Sequence, residues 1–162
     1  MRKNIKYGMK NKKCGIIFFG IFVILPCIFF VPSVSAAGIS AGMIKRNDVK
    51  RIVREIKKKA DVNKRDWFGR TPLMKAVRFN AVESAELLIA NGAEINAKDK
   101  NGWTALIWAS VECSSSSVKL LIERGADAAV SDKLGYTALM FAENKKCAEI
   151  CVMLKEALKT QT

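Results

Sequence analysis

Hydrophobic positions along the chain fall into regions of different spacing. Residues 15–31 form an apolar run without a charge. Between residues 47 and 59, apolar side chains recur at the three- and four-residue spacing of an amphipathic helix, namely at Val49, Ile52, Val53 and Ile56. From residue 66 onward, short apolar segments alternate with turns that contain Asp and Gly. The pattern predicts an apolar leader, a helix over 47–59 and a series of short helices.

The N-terminal region has the three parts of a secretory signal peptide: a basic start, an apolar middle and a small-residue end. Cleavage after Ala36 is the first choice, because Val34 and Ala36 fit the small positions that the peptidase requires, and cleavage after Ala37 is the second. The alternative is an uncleaved anchor, since residues 15–31 are close to the lower length limit of a spanning helix. Either way, we expect the remaining chain outside the cytosol, exported (periplasmic or secreted) or membrane-anchored.

Internal repeats with a 33-residue period dominate the rest of the chain. Three segments share the order Asp, two residues, Gly, one residue, Thr, one residue, Leu, two residues, Ala, and they occupy residues 66–76, 99–109 and 132–142. A second motif, Leu-Leu-Ile followed two residues later by Gly-Ala, lies at 87–93 and 120–126. We predict helix N-caps at the motif threonines, Thr71, Thr104 and Thr137.

These motifs resemble the ankyrin repeat family. The resemblance implies an all-α solenoid, in which each unit has a β-turn finger and two antiparallel helices. The family motif has a His at the positions of Met74, Ile107 and Met140, so this chain lacks the hydrogen bonds of that His. The expected organisation is a signal peptide or anchor (1–36), a linker (37–44), a basic half-repeat cap (45–65), two repeats (66–98, 99–131), and a third repeat with the C-terminal cap (132–160).

The surplus of positive charge is local. The formal net charge is +13, and residues 45–65 hold ten Lys or Arg against three acids, whereas residues 66–162 hold twelve of each sign. The predicted basic patch consists of Lys50, Arg51, Arg54, Lys57, Lys58 and Lys59. One interpretation is the solvated face of a cap helix, and the other is contact with an anionic membrane surface. Nucleic acid is not expected, because the patch has no aromatic platform or groove-reading motif.

Three cysteines follow the leader, namely Cys113, Cys147 and Cys151. Cys113 and Cys147 fall at nearly equivalent turn positions of adjacent repeats, so a disulfide between them is possible if their one-residue offset closes a spacing of about 10 Å. The alternative is three separate small side chains, buried or half-buried.

The composition excludes several chemistries. With no His, the chain cannot form a Ser-His-Asp or Cys-His nucleophile pair or a His-ligated zinc site. It also shows no paired carboxylates in a convergent setting and no phosphate loop. We therefore expect no enzyme activity, no catalytic residue, no metal and no cofactor.

The family resemblance implies binding of a protein partner through the finger tips and the concave face of the first helices. The positions that match are Trp67, Phe68, Arg70, Arg78, Phe79, Trp103, Glu112 and Tyr136. The alternative role of the aromatic tips is packing between neighbouring fingers, whereas Trp108 and Phe141 are expected in the core. We expect a monomeric scaffold with an unknown partner. The alternative functions are a membrane-tethered envelope component and an inhibitor of an extracytoplasmic enzyme.

Overall fold

The computed structural model describes residues 38–161. Within this range the fold is helical, with one isolated antiparallel bridge between Ser131 and Thr137. The helices are α1 Ala41–Lys45, α2 Val49–Lys57, α3 Pro72–Arg78, α4 Val82–Ala90, α5 Ala105–Val111, α6 Ser115–Glu123, α7 Ala138–Asn144 and α8 Ala148–Thr160. The predicted all-α class is confirmed. The predicted leader over 1–36, with cleavage after Ala36 or Ala37, lies outside the described residues.

The helices form two layers. In each unit a first helix packs antiparallel against a second, as α3 does against α4. First helices contact first helices along the series α1, α3, α5 and α7, and second helices do the same along α2, α4, α6 and α8. The buried side chains form one cluster between the layers, which runs from Ile39 to Ala157. Within residues 38–161 the helices form one compact unit.

The motif threonines begin the first helix of each repeat. The Thr71 hydroxyl accepts a hydrogen bond from the backbone N–H of Met74 at 3.3 Å, and Thr104 and Thr137 cap α5 and α7 in the same way. Each cap satisfies a backbone donor that has no partner inside the helix. The predicted N-caps are therefore confirmed.

The fingers stack closely on one another, and glycine makes this possible. Gly102 has φ +85°, and a Cβ atom there would lie 2.9 Å from the backbone nitrogen of Lys133 in the next finger. Gly135 has the same φ, but no atom lies within 4 Å of the position of its Cβ, because the described chain has no further finger beyond it.

The N-terminal unit differs from the expected single helix. Instead of one helix over 47–59, the structure has α1 and α2, and α1 begins in the segment expected to be a linker (37–44). Asn47 adopts φ +50° and ends the first helix, and Asp48 caps the second by accepting from the N–H of Arg51 at 3.1 Å. The sequence analysis did not predict α1. This helix has five residues, its N-cap is Ser40, and it buries a single side chain, that of Ile44. The boundaries of the repeats themselves remain predictions.

Consecutive units are joined at the turns between their helices. The Ser114 hydroxyl donates a hydrogen bond to the Asn80 side chain at 2.6 Å, which links one turn to the next. One repeat later, 33 residues on, the corresponding pair is Cys113 and Cys147. A disulfide joins these two residues, and their Cα atoms lie 5.9 Å apart. The one-residue offset therefore brings the cysteines within disulfide range, whereas Cys151 is a free, half-buried thiol.

The last unit carries charge where earlier units are uncharged. Glu143 occupies the position of the buried Ser110, and Lys155 occupies that of the half-buried Ile122. The Lys155 Nζ lies 3.0 Å from the Glu143 carboxylate, and both side chains are about half exposed. The last helix pair, α7 and α8, is thus linked at its surface by an ion pair.

Candidate partner-binding surface

An aspartate organises each finger. In the first, the Asp66 carboxylate accepts hydrogen bonds of 2.9 Å from the backbone N–H groups of Phe68 and Arg70. Asp99 and Asp132 make the corresponding bonds in the next two fingers. Because the backbone bonds back onto the aspartate, the two residues at each tip point away from the repeat.

The first finger exposes two aromatic side chains. Trp67 is 84% exposed and Phe68 is 60% exposed. The Lys100 ammonium lies 5.2 Å from the Trp67 ring centroid, and the Arg70 guanidinium lies 4.6 Å from that of Phe68. These cations contact the rings, while the rings stay accessible to a partner.

Arg70 is held by an ion cluster beneath the first finger. Its guanidinium lies 2.9 Å from the Asp66 carboxylate, and the Lys75 ammonium lies 3.1 Å from the same group. Burial disfavours the charged form of Asp66, but hydrogen bonds from the Arg70 backbone and side chain and from Lys75 outweigh it and lower its pKa to about 2. The predicted binding residue Arg70 is therefore also part of the finger's internal structure.

Trp103 does not lie at an exposed tip as predicted. It is half-buried, its indole N–H donates to Asp132 at 3.1 Å, and its ring centroid lies 4.7 Å from that of Trp108 and 5.1 Å from that of Phe141. For this residue the structure favours the alternative, packing between fingers. Trp108 and Phe141 are half-buried beside the core rather than inside it.

The aromatic cluster forms the wall of an open groove. A cavity of 480 Å³ lies between the second and third fingers, and a second of 290 Å³ continues along α7. Both are lined by Tyr136 and Phe141. The exposed rim is apolar, with Leu134 81%, Tyr136 50% and Met140 50% exposed.

Sequence reasoning missed two members of this groove. Leu134 occupies the same tip position as the predicted Phe68, two repeats later, so the repeat alignment could have found it. Met140 corresponds to the buried Met74 and Ile107, and it is exposed because the third repeat has no following unit in the described chain. We define the groove as the surface formed by Leu134, Tyr136, Met140 and Phe141.

The other predicted residues lie at the C-terminal ends of the first helices α3 and α5. Arg78 forms an ion pair of 3.7 Å with Glu112, and its guanidinium lies 5.0 Å from the Trp108 ring centroid. Phe79 is the C-cap residue of α3 and is 38% exposed, with the Lys45 ammonium 6.0 Å from its ring centroid. The Arg78–Glu112 pair therefore borders the aromatic cluster, while Trp67, Phe68 and Arg70 form a separate surface on the first finger.

The predicted basic patch lies on α2 and the turn after it. Arg51 pairs with Asp48 at 4.0 Å, and Lys58 pairs with Glu55 at 3.0 Å. The remaining members are exposed and have no ion-pair partner among the described residues, namely Lys50, Arg54, Lys57 and Lys59.

Within 38–161 no group of three His, Cys, Asp or Glu side chains could hold a metal ion. The same stretch contains no helix that is long and apolar enough to span a membrane.

Stacked fingers and helix pairs with an exposed apolar groove define a repeat solenoid, a class of protein built around extended binding surfaces. Comparison with protein families matches residues 41–132 and 96–161 to ankyrin repeats (3 copies). The chain belongs to the ankyrin repeat family, and the predicted resemblance is confirmed. Among curated proteins no match was found. Ankyrin repeats generally mediate protein–protein interaction and are typically non-catalytic scaffolds.

Proposed function

We propose that this protein is a monomeric, non-catalytic scaffold outside the cytosol, which binds a partner protein in the groove formed by Leu134, Tyr136, Met140 and Phe141. The exposure of three large apolar side chains along two adjoining depressions, which share Tyr136 and Phe141, carries the proposal. Clustered apolar exposure of this kind marks interaction sites, and aromatic anchors dominate the energetics of interfaces.

The groove is organised before binding. Phe141 is held by the neighbouring Trp103 ring, and Trp103 is fixed by its hydrogen bond to Asp132. A partner therefore loses less side-chain freedom on this wall when it docks. The Arg78–Glu112 pair at the border adds exposed charges that can select a partner by its charge pattern.

One feature of the sequence and one of the structure support a location outside the cytosol. The leader over 1–36 has the pattern of an export signal, and disulfides such as that between Cys113 and Cys147 persist in oxidising compartments. Fractionation of native cells and the intact mass of the tagged protein test this part. A mass corresponding to cleavage near Ala36 supports an exported protein, an uncleaved mass in the membrane fraction indicates an anchor, and an uncleaved cytosolic protein would contradict the proposal.

Capture from the fraction that contains the native protein tests the groove. The triple variant Leu134→Ala, Tyr136→Ala, Met140→Ala removes its exposed apolar rim. The matched control is Val152→Ala, which truncates a 56% exposed side chain on α8. We expect the groove variant to lose at least tenfold of the partner that the parent enriches, and the control to retain it. Equal capture by the groove variant, with both proteins folded in thermal melts, would refute this site.

A further inference from the structure

A second surface, unrelated to the groove, lies at the opposite end of the stack. Lys50, Arg54 and Lys57 follow one another on α2 at steps of four and three residues, which places them on one face of the helix. All three are exposed and have no ion-pair partner among the described residues. This array of cations is not explained by the internal structure of the unit.

The acids of the same segment do not pair with this face. Asp48 and Glu55 lie on the same helix or at its start, but they pair with Arg51 and Lys58 respectively. The third acid of this segment, Asp61, accepts a hydrogen bond from the N–H of Asn63 at 2.8 Å. Because residues 66–162 contain equal numbers of acids and bases, the remaining repeats carry no surplus of negative charge that could balance it.

We propose that the Lys50, Arg54 and Lys57 face of α2 binds the anionic surface of a lipid bilayer. α2 is a short convex rod with no aromatic side chain, so it offers neither a stacking platform for bases nor a pocket for a protein anchor. A row of flexible cations fits the diffuse negative charge of lipid headgroups, which requires no specific geometry.

The chain connectivity supports a lipid surface over other polyanions. The apolar run in the sequence ends at Val31, and α1 begins ten residues later at Ala41. In sequence, the basic face therefore belongs to the unit that directly follows the predicted export signal or anchor, whether or not that segment is later removed.

Vesicle binding of the repeat unit, residues 38–162, tests the proposal without the apolar leader. The probes are vesicles of phosphatidylcholine with about 30% phosphatidylglycerol, and vesicles of phosphatidylcholine alone. Each cation near an anionic surface contributes roughly fivefold to affinity. The variant Lys50→Gln, Arg54→Gln, Lys57→Gln should therefore bind the anionic vesicles about 100-fold more weakly than the parent.

The control removes the same charge elsewhere. Lys119→Gln, Lys133→Gln, Lys145→Gln neutralises three exposed lysines on the later repeats. We expect less than a threefold loss of binding for this control, because these lysines lie away from the proposed face. Parent binding should also fall at least tenfold between about 0.05 and 0.5 M salt, since salt screens exposed charges. This last measurement tests the electrostatic mechanism even if the triple variant does not fold.

Several results would overturn the proposal. The parent could fail to bind anionic vesicles, or it could bind neutral vesicles equally well. The two triple variants could also lose vesicle binding equally, which would indicate that net charge rather than a defined face is responsible. Tighter binding to a single-stranded oligonucleotide or an acidic peptide than to the vesicles would assign the face to another polyanion. None of these outcomes bears on capture by the groove, so the two proposals fail separately.

Discussion

Consecutive units are joined at the turns between their helices, and each such link is called a junction. The disulfide between Cys113 and Cys147 lies at one junction, at the position where the junction one repeat earlier has the Asn80–Ser114 hydrogen bond. The variant Cys113→Asn, Cys147→Ser should therefore replace the covalent link by the hydrogen bond of the neighbouring junction. Asn also suits the backbone, because Cys113 has φ +52°, the same value as Asn80, and Asn tolerates this left-handed region better than most residues.

The magnitude follows from the loop that the disulfide closes. The two cysteines are 34 positions apart, and a loop of this length contributes about 4 kcal/mol to stability by restricting the unfolded chain. A hydrogen bond returns about 1 kcal/mol. The Asn/Ser variant should thus lose about 3 kcal/mol of the free energy of unfolding, and a Ser/Ser variant of the same cysteines about 4 kcal/mol.

Urea unfolding of residues 38–162, followed by circular dichroism without reductant, measures these differences. Alkylation of the parent without reductant should label one thiol, that of Cys151, and two more thiols should react after reduction. Reductant should lower the stability of the parent and leave both variants unchanged.

Two results would refute this reasoning. Three labelled thiols in the unreduced parent would show that the disulfide does not form. Equal stability of the Asn/Ser and Ser/Ser variants would show that the hydrogen bond of the preceding junction cannot be transferred to this one, and that the repeats are not equivalent at their turns.

Three further predictions concern stability and are checked by thermal or urea unfolding of the repeat unit. Trp103→Ala should lower the free energy of unfolding by about 3 kcal/mol, because the indole is packed and hydrogen-bonded. Tyr136→Ala should lower it by less than about 1 kcal/mol, because this side chain is half exposed. Equal, small losses in the two variants would restore the exposed-tip interpretation of Trp103. Asp66→Asn should lower stability by about 2 kcal/mol at pH 7, because the folded pKa of about 2 lies below the unfolded value of 3.8. This contribution to stability is complete above the pKa of the unfolded state and disappears as the pH falls through the pKa of the folded state. About half of it should therefore remain at pH 3. A stability difference between parent and variant that does not change with pH would contradict this reasoning. Gly102→Ala should destabilise the protein by about 1 kcal/mol more than Gly135→Ala, because both residues have φ +85° and only the first would crowd the next finger. Equal losses would show that the fingers do not stack closely.

The repeated features were predictable because each recurs at the same step. The threonine caps and the finger glycines depend on local backbone geometry, so three copies of one motif indicate three copies of one structure. α1 was not predictable in this way. It is a five-residue helix without the motif, and its apolar content is too small to produce a periodic signal.

The groove was only partly predictable, because exposure depends on what lies next to a residue. Trp103 and Tyr136 occupy the same position of consecutive repeats, yet Trp103 is covered by the third repeat and Tyr136 is not. The same reason exposes Met140, which has buried counterparts in both earlier repeats. A position within the motif specifies the direction of a side chain, and the place of the repeat in the stack decides whether that side chain meets protein or solvent.

The ion pair between Lys155 and Glu143 has a consequence for engineering longer versions of this protein. A fourth repeat added after Thr160 would bury both charges, which is costly unless their geometry is ideal. A designer would first restore the residue types of the earlier repeats, with Ser at 143 and Ile at 155, before the array could grow at this end. The native pair therefore opposes the stacking of a further repeat on this end.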